Sequence, residues 1–171
     1  MWFGIFYSEM VDAKAQNGAV IVYDTMWHST EQMVHPIARG IQKEGIPVKI
    51  FKLRATAKSI AVKEVWKYRG LIIGSPTLNN NIYPSIADFL TYLKGLRVRN
   101  RLFSAFGSYG WSREAVKDIL EYGKSMKLKV FEPGIRVLYK PSEEELNKCY
   151  EFGIAFGKAL KEYHAKLEKI A

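Results

Sequence analysis

Short runs rich in β-branched and aromatic residues alternate along this chain with longer stretches whose apolar residues recur every three to four positions. Runs of the first kind are typical of buried strands, and stretches of the second kind are typical of amphipathic helices. The alternation therefore predicts repeated βα units, which build a three-layer α/β sandwich around a mostly parallel sheet. Five strands are predicted, over residues 19–23, 48–53, 71–74, 102–106 and 129–139.

Five helices are predicted between and after these strands, over residues 30–43, 59–68, 84–95, 113–126 and from 142 almost to the end. Ser142 and Glu145 have the spacing of a capping box, which marks the start of the last helix. The second strand alternates apolar and basic residues, so we expect it at the sheet margin. The third strand has no polar face, so we expect it at the centre. Pro133-Gly134 interrupts the fifth strand.

The chain has 171 residues, enough for one domain with a sizeable core. No apolar run approaches the roughly 20 residues that cross a bilayer, and no basic stretch precedes the apolar residues 1–7, so we expect a cytoplasmic protein. The single cysteine, Cys149, excludes an internal disulfide framework. The three histidines show no metal-ligand spacing, so we predict no metal site and chemistry supplied by an organic cofactor or a partner.

Basic residues outnumber acidic ones, and the formal net charge is +9. The excess is concentrated in residues 36–69, with nine basic and two acidic groups, and in residues 94–101. Such clusters suit an acidic protein, an anionic surface or nucleic acid, although a solvated surface is the simplest interpretation. Within these basic segments there is no helix-turn-helix, aromatic RNA-binding pair or GXXG element, so nucleic acid is disfavoured as a partner.

The turn after the first strand separates two possible sheet topologies. A dinucleotide-binding fold requires glycines there for close approach to a pyrophosphate, whereas residues 24–30 contain none. The turn offers the hydroxyls of Thr25, Ser29 and Thr30 together with the unpaired N–H groups of a helix start, which suit a single terminal phosphate. An ordinary helix N-cap is the structural alternative. The turn therefore favours the strand order 2-1-3-4-5.

Two further turns follow strand ends and should lie at the same edge of the sheet. Residues 75–81 offer amide and hydroxyl groups, and residues 107–112 offer two aromatic side chains beside a glycine. Together with Trp27, these turns are expected to form a flat slot that has a phosphate anchor at one end. Flavin mononucleotide (FMN) has that shape. Taken singly, a plain turn at residues 79–81 and core packing of Tyr109 and Trp111 remain alternatives.

At these positions the sequence resembles the flavodoxin-like domain of the A-type flavoproteins, or flavodiiron proteins. The resemblance is carried, in order, by residues 20–31, 74–80, 87–95 and 105–112, and it covers residues 19 to 160. It implies a flavodoxin-like fold with a five-stranded parallel sheet of order 2-1-3-4-5, and FMN as the cofactor. The residues implied to hold the phosphate are Thr25, Met26, Trp27, His28, Ser29 and Thr30. The residues implied to hold the isoalloxazine ring are Ser75, Pro76, Thr77, Leu78, Asn79, Asn80, Ser108, Tyr109, Gly110, Trp111 and Ser112.

The sequence departs from the family pattern in three respects. His28 stands where a glycine is more usual, and Pro36 should kink the first helix or shift its start. Full-length flavodiiron proteins also carry a metallo-β-lactamase-like domain with a di-iron site, which nothing in this sequence supplies. Residues 1–18 have the character of a segment linking two domains, with a turn at Asn17-Gly18, and residues 19–171 are assigned to the flavodoxin-like domain.

The resemblance implies an electron carrier, for which we assign no catalytic acid or base. Bound FMN would pass electrons from a donor, such as an acidic rubredoxin or a reductase, to a di-iron partner domain or subunit. The positive charge would then steer the acidic donor. Two alternatives stay open: an FMN-dependent NAD(P)H oxidoreductase, and a flavin-free module that binds nucleic acid. A homodimer is also expected, because the parent proteins associate with the flavin of one subunit near the di-iron site of another.

Overall fold

The computed structural model describes residues 15–170, which form a doubly wound α/β sandwich. Five helices and a parallel sheet alternate along the chain, and a small antiparallel hairpin is inserted after the third strand. The strands are β1 (Gln16–Tyr23), β2 (Val48–Lys52), β3 (Tyr68–Gly74), β4 (Thr77–Leu78), β5 (Asn81–Ile82), β6 (Leu102–Tyr109), β7 (Lys129–Val130) and β8 (Ile135–Leu138). The helices are α1 (Ser29–Lys43), α2 (Lys58–Lys67), α3 (Pro84–Gly95), α4 (Glu114–Ser125) and α5 (Glu143–Ile170).

The main sheet has the order β2-β1-β3-β6-β7, and β8 pairs with β6 beyond the end of β7. Every pairing in this sheet is parallel. Because β7 and β8 are the two parts of the predicted fifth strand, the expected order 2-1-3-4-5 is confirmed. The predicted positions of the second strand at the margin and the third strand at the centre are confirmed as well.

Two apolar clusters fill the spaces on either side of the sheet. On one side, α2, α3 and α4 cover a cluster that includes Val65, Phe89 and Phe103. On the other side, α1 and α5 cover a cluster that includes Met33 and Phe156. The central strand β3 is buried along its whole length, so both layers of helices pack against it.

Several boundaries differ from the sequence-based expectation because strand pairing extends the strands. Tyr68 begins β3 rather than ending α2, since it pairs with Gln16 at the start of β1. Asn17 and Gly18 lie within β1, at an irregularity in the register, and do not form the predicted turn. A side chain at Gly18 would overlap the ring of Tyr68, so the close approach of the two strands requires glycine.

Other differences concern the connections. The predicted turn over residues 107–112 starts later, because pairing with β8 continues β6 to Tyr109. Helix α1 begins at Ser29 and runs through the buried Pro36, so the proline does not shift the helix start. The predicted capping box is confirmed, because the Ser142 hydroxyl and the Glu145 carboxylate exchange hydrogen bonds with each other's backbone N–H groups. Most of the predicted linker segment, residues 1–14, lies outside the described residues.

Two buried arginines, Arg69 and Arg101, bond to backbone carbonyls at the edge of the sheet where the parallel strands begin. The Arg101 guanidinium donates to the carbonyls of Val65 and Trp66 in the last turn of α2, at 3.0 and 2.7 Å. It donates to the carbonyl of Arg99 as well. Burial lowers the pKa of Arg101 to about 10. Because the last carbonyls of a helix lack intrahelical partners and carry its negative dipole end, they suit this buried cation.

Candidate cofactor-binding site

A cavity of about 410 Å³ opens at the opposite edge, where the parallel strands end. This volume is within the range of ligand-binding pockets in proteins. All three of the predicted loops contribute to its wall. The lining residues are Met26, Trp27, Ser29, Pro76, Thr77, Leu78, Asn79, Ser108, Tyr109, Gly110, Trp111, Ser112, Tyr139 and Lys140.

The first loop, residues 24–28, joins β1 to α1. His28 is the N-cap of α1 and has left-handed backbone angles, φ 64° and ψ 3°. Those angles favour glycine, which accounts for the expectation of a glycine at this position. The Thr25 hydroxyl is buried, and its oxygen has no hydrogen-bond partner among the described residues. The loop therefore brings the N-terminus of a helix to the cavity, and it carries a spare hydroxyl at its start.

The carboxylate of Asp24 stands at the entrance of this loop and is fully buried. It accepts hydrogen bonds from the Thr25 N–H at 2.8 Å, from Arg54 Nε at 2.8 Å and from the Ser85 hydroxyl at 2.6 Å. The Arg54 guanidinium also donates to the Thr25 carbonyl oxygen. The loop entrance is therefore tied to the turn after β2 and to the first turn of α3.

A second carboxylate, that of Glu31, braces the far end of the loop. Its oxygens accept hydrogen bonds from the Tyr23 hydroxyl at 2.8 Å and from Lys52 Nζ at 3.0 Å, and they pair with His28 Nδ1 at 2.6 Å. The bonds with His28, Lys52 and Tyr23 lower the pKa of Glu31 to about 2. The strained backbone of His28 is thus held by its own side chain.

The second predicted loop is in fact a hairpin, with β4 and β5 joined by Asn79 and Asn80. Both asparagines have positive φ values, 50° and 60°, which define a type I′ turn that asparagine adopts readily. The Ser75 hydroxyl is buried below the hairpin, where it accepts from the Tyr83 N–H at 3.0 Å and donates to the Pro76 carbonyl. Thr77, Leu78 and Asn79 are thereby held at the cavity wall.

Two exposed aromatic side chains lie beside the cavity, Trp111 of the third loop, which follows β6, and Trp27 of the first loop. Trp111 is 90% exposed, and Trp27, from the first loop, is 79% exposed. Such exposure of two large rings at a cavity mouth indicates a surface that meets a ligand or a partner. A side chain at Gly107 would overlap the Ser75 carbonyl oxygen, so the second and third loops are in close contact.

Five of the residues predicted to bind the cofactor do not line the cavity. These are Thr25, His28, Thr30, Ser75 and Asn80. Two of them hold the wall in place: the Ser75 bonds support the hairpin, and the buried Thr30 hydroxyl lies 2.8 Å from the Ser108 hydroxyl, which links the first loop to the third.

Tyr139 and Lys140 line the cavity but are absent from the predicted set. They follow β8, which is held in place by the Tyr139 N–H bond to the Tyr109 carbonyl at 2.7 Å. The rule that ligands bind beyond the carboxyl ends of parallel strands applies equally to the fifth strand. Applied to the fifth strand, this rule would have identified Tyr139 and Lys140 as candidate site residues from the sequence.

Three cationic residues lie near the cavity mouth, on the side formed by Tyr109 and Tyr139. They are Arg113, Arg136 and Lys140, and we call them the cationic rim. All three are exposed. The Arg113 guanidinium lies over the Tyr109 ring, 5.1 Å from its centre, and Arg136 approaches the Arg113 carbonyl at 3.5 Å. No carboxylate of residues 15–170 forms an ion pair with them. The rim is therefore open to an anionic partner.

Three further observations on the described residues do not concern this site. No helix within residues 15–170 is long and apolar enough to cross a membrane. The same residues contain no group of three or more His, Cys, Asp or Glu side chains that could hold a metal ion. Burial raises the pKa of the Cys149 thiol to about 12, so this cysteine is an inert core residue.

The strand order, the helices on both faces and a ligand cavity at the carboxyl edge define a flavodoxin-like protein. The chain belongs to the flavodoxin family, whose model matches residues 21–153. It is 40% identical to the nitric oxide reductase of Moorella thermoacetica over 148 residues, which are 86% of this chain and 37% of the relative.

Solved structures show the same relationship. The rubredoxin oxygen:oxidoreductase of Desulfovibrio gigas superposes with a TM-score of 0.86 at 35% identity, over 93% of this chain and 39% of that one. A flavodoxin from the domain Archaea superposes with a TM-score of 0.77 at 27% identity, over 84% of this chain and 99% of that one. The chain is thus related to the flavodoxin-like domain of flavodiiron proteins, and it spans less than two-fifths of the length of its curated relatives.

FMN is the cofactor of this family, and the residues present fit it. The orphaned Thr25 hydroxyl and the N-terminus of α1 are the neutral donors that a terminal phosphate requires. The aromatic and aliphatic side chains along the cavity suit a flat ring, and their polar neighbours suit its heteroatoms. The predicted cofactor therefore agrees with both the family and the chemistry of the site.

Proposed function

We propose that this chain is an FMN-binding electron-transfer domain that carries electrons between an external donor and a di-iron oxidase centre. The observation that supports this most strongly is the open cavity with two highly exposed tryptophans at its mouth, bordered by the cationic rim. Transfer between proteins requires a cofactor close to the surface, and this cavity would hold one there. The di-iron acceptor is proposed because the chain resembles flavodiiron proteins.

The protein's own residues have distinct tasks in this proposal. Residues 25–30 bind the phosphate, and residues 75–80 and 108–112 bind and orient the ring. Trp27 and Trp111 shield the ring from water. When bound, FMN supplies reversible one- or two-electron transfer, so the protein contributes binding and tuning rather than a catalytic acid or base.

An acidic rubredoxin-like protein is the proposed donor. Arg113, Arg136 and Lys140 lack carboxylate partners in the described part of the chain, so their charges are available to attract an acidic surface toward the cavity. Charges nearer the first loop are less available, because Lys52 and Arg54 are paired with Glu31 and Asp24. The steering charge is thus proposed to be local to the rim rather than spread over the molecule.

The test is the rate at which an acidic rubredoxin reduces the FMN-loaded protein, measured by stopped flow at rising salt. We expect the rate to fall several-fold between roughly 0.05 and 0.5 M salt, because the Debye length shortens over that range. A triple variant with Arg113, Arg136 and Lys140 changed to Gln should be slow at low salt and insensitive to it. A matched variant with Arg97, Arg99 and Lys129 changed to Gln removes the same charge at the other edge and should behave as the wild type.

Different outcomes favour different functions. A rate that is unaffected by salt and by the rim variant would contradict steering by the rim. Rapid reduction of the flavin by NADPH alone would favour the alternative function, an NAD(P)H oxidoreductase whose nicotinamide phosphates bind the same cations. A protein that takes up no FMN would contradict the proposed function as a whole.

Two further expectations remain proposals. A homodimer is proposed because Trp27 and Trp111 offer exposed apolar surface at the cavity mouth. A monomer mass in solution at micromolar concentration would contradict it. A cytoplasmic location is proposed from the sequence, and cell fractionation tests it.

A further inference from the structure

Arg54 bonds to the first loop, the proposed phosphate loop, through Asp24 and a backbone carbonyl, and it does not line the cavity. It lies in the 3₁₀ turn after β2, 29 residues from Thr25 in sequence, and it is not among the residues that line the cavity. Its Nε donates to Asp24, and one of its terminal nitrogens donates to the Thr25 carbonyl. Its guanidinium also lies over the Tyr83 ring, 5.5 Å from the ring centre.

The bond to the Thr25 carbonyl orients the peptide group that begins the loop. The C=O and N–H of a trans peptide point in opposite directions, so holding the carbonyl at Arg54 turns the Met26 N–H away from the guanidinium. No hydrogen bond of the described residues uses this N–H. Arg54 thereby leaves the Met26 N–H available as a donor on the opposite side of the loop.

Arg54 also compensates a charge that would oppose phosphate binding. Asp24 is fully buried and adjoins the loop, and the loop itself contains no lysine or arginine. The other two partners of the Asp24 carboxylate, the Thr25 N–H and the Ser85 hydroxyl, are neutral. Without Arg54, an uncompensated buried carboxylate would lie beside the phosphate, where repulsion is weakly screened.

We propose that Arg54 is a positioning residue for the phosphate site, acting through Asp24 and the Thr25 carbonyl, and that it sets the preference for FMN over riboflavin. This inference rests on the proposed FMN-binding function. Riboflavin has the same ring and lacks the phosphate, so it reports on the ring site alone. A residue that organises only the phosphate loop affects the affinity for FMN and spares the affinity for riboflavin.

The experiment measures dissociation constants for FMN and riboflavin by fluorescence titration of the full chain. For Arg54→Gln we expect FMN to bind about tenfold more weakly or worse, the range for loss of a hydrogen bond to a charged group. Riboflavin should bind as in the wild type. Arg54→Lys keeps the charge but not the planar fork, so its FMN affinity should fall between those of the wild type and Arg54→Gln. The phosphorus NMR signal of bound FMN should shift in Arg54→Gln.

Lys58→Gln is the matched control. Lys58 begins the helix that follows the same turn, pairs with Asp88 and lies over the Tyr92 ring, so it loses the same charge without touching the loop. We expect both flavins to bind Lys58→Gln as they bind the wild type. Urea unfolding of the apoproteins reports whether each variant is folded.

The inference is overturned if Arg54→Gln weakens both flavins equally, or neither, or if Lys58→Gln has the same effect on FMN. It is also overturned if the wild type binds riboflavin as tightly as FMN. Failure of the wild type to bind either flavin would instead overturn the proposed function, so the two failures are distinguishable.

Discussion

At the carboxyl edge of the sheet the two cations beside the first loop, Lys52 and Arg54, pair with carboxylates, whereas at the amino edge the buried arginines bond mainly to backbone carbonyls. Arg54 binds the carboxylate of Asp24, and Lys52 binds that of Glu31. Arg101 instead donates to carbonyls at the end of α2, and Arg69 donates to the carbonyls of Asn100 and Ala15. Arg54 also donates to the Thr25 carbonyl, and Arg69 also pairs with Glu168 at the longer distance of 3.8 Å, so the contrast concerns the main partner at each edge.

The difference follows from which backbone groups each edge exposes. Helix C-termini and their unpaired carbonyls lie at the amino edge, and a guanidinium satisfies them within the protein. Helix N-termini and their unpaired N–H groups lie at the carboxyl edge, and at the start of α1 no carboxylate of the described residues takes the place of a phosphate. Apart from the Thr25 N–H, which donates to Asp24, the carboxylates beside the first loop bond to side chains, so the Thr25 hydroxyl and the Met26 N–H remain available for a ligand. One edge is satisfied internally, and the other is completed by its cofactor.

The strongest test of this contrast replaces the arginine at the amino edge. Arg101→Met removes hydrogen bonds to at least three backbone carbonyls, one in a buried and two in a half-buried setting. We expect a loss of about 3 kcal/mol in the free energy of unfolding, because unsatisfied buried polar groups cost about 1 to 3 kcal/mol each and the carbonyls regain some water. The FMN affinity of the folded protein should not change. Urea denaturation and flavin titration measure the two effects.

The neighbouring, exposed Arg99 provides the comparison for this variant. Arg99→Met should change the free energy of unfolding by less than about 0.5 kcal/mol, as is usual for surface positions. If Arg101→Met were as stable as Arg99→Met, the buried carbonyl bonds would contribute little, and the proposed contrast between the edges would not hold.

A second test titrates the carboxyl edge. The hydrogen bonds from His28, Lys52 and Tyr23 lower the pKa of Glu31 from 4.5 to about 2. A depressed carboxyl pKa contributes stability that is complete above the unfolded-state value and disappears as the pH falls to the folded-state value. We therefore expect the stability contributed by Glu31 to be lost between pH 4.5 and pH 2.

The measurement compares the wild type with Glu31→Gln by urea denaturation at several pH values. The wild type should be more stable by about 1 to 2 kcal/mol at neutral pH, a figure discounted for the partial exposure of this side chain. The difference should shrink toward zero near the lower end of the interval. A difference that stays constant with pH would show that Glu31 acts through packing rather than through its charge.

The sheet order and the three cavity loops could be predicted because they depend on patterns that are local in sequence. Hydrophobic periodicity marked the strands, and the glycine-free turn at residues 24–30 separated the two topologies. The helix N-terminus after that turn lies where it was expected. Such features depend on only a few consecutive residues, so they can be found from a single sequence without an alignment.

The supporting contacts could not be predicted because they join distant segments. Ser85 and Asp24 are 61 residues apart, and Thr30 and Ser108 are 78 apart. No periodicity links such pairs, since only the folded sheet brings them together. The hairpin at residues 77–82 was missed for a different reason, because its strands have two residues each and are too short to show alternation.

The smallest expected effect concerns His28, where the carboxyl edge tolerates a strained backbone. Its φ of 64° disfavours any residue with a Cβ, and its side chain bonds to Glu31. His28→Ala keeps the unfavourable backbone and loses the bond. His28→Gly loses the bond as well, but it removes the conflict between Cβ and backbone, at the cost of a more flexible unfolded chain. Because the two variants differ only in Cβ, we expect His28→Gly to be more stable than His28→Ala by about 1 kcal/mol.

Urea denaturation of the two variants and the wild type makes this comparison, and it also shows what the His28 side chain contributes. If the bond to Glu31 offsets the strain, the wild type should be at least as stable as His28→Gly, so histidine would replace the more usual glycine without loss. If His28→Ala were at least as stable to urea as His28→Gly, the result would show that the loop backbone relaxes when the histidine side chain is removed. The left-handed angle would then be a consequence of the His28–Glu31 contact rather than a requirement of the phosphate loop.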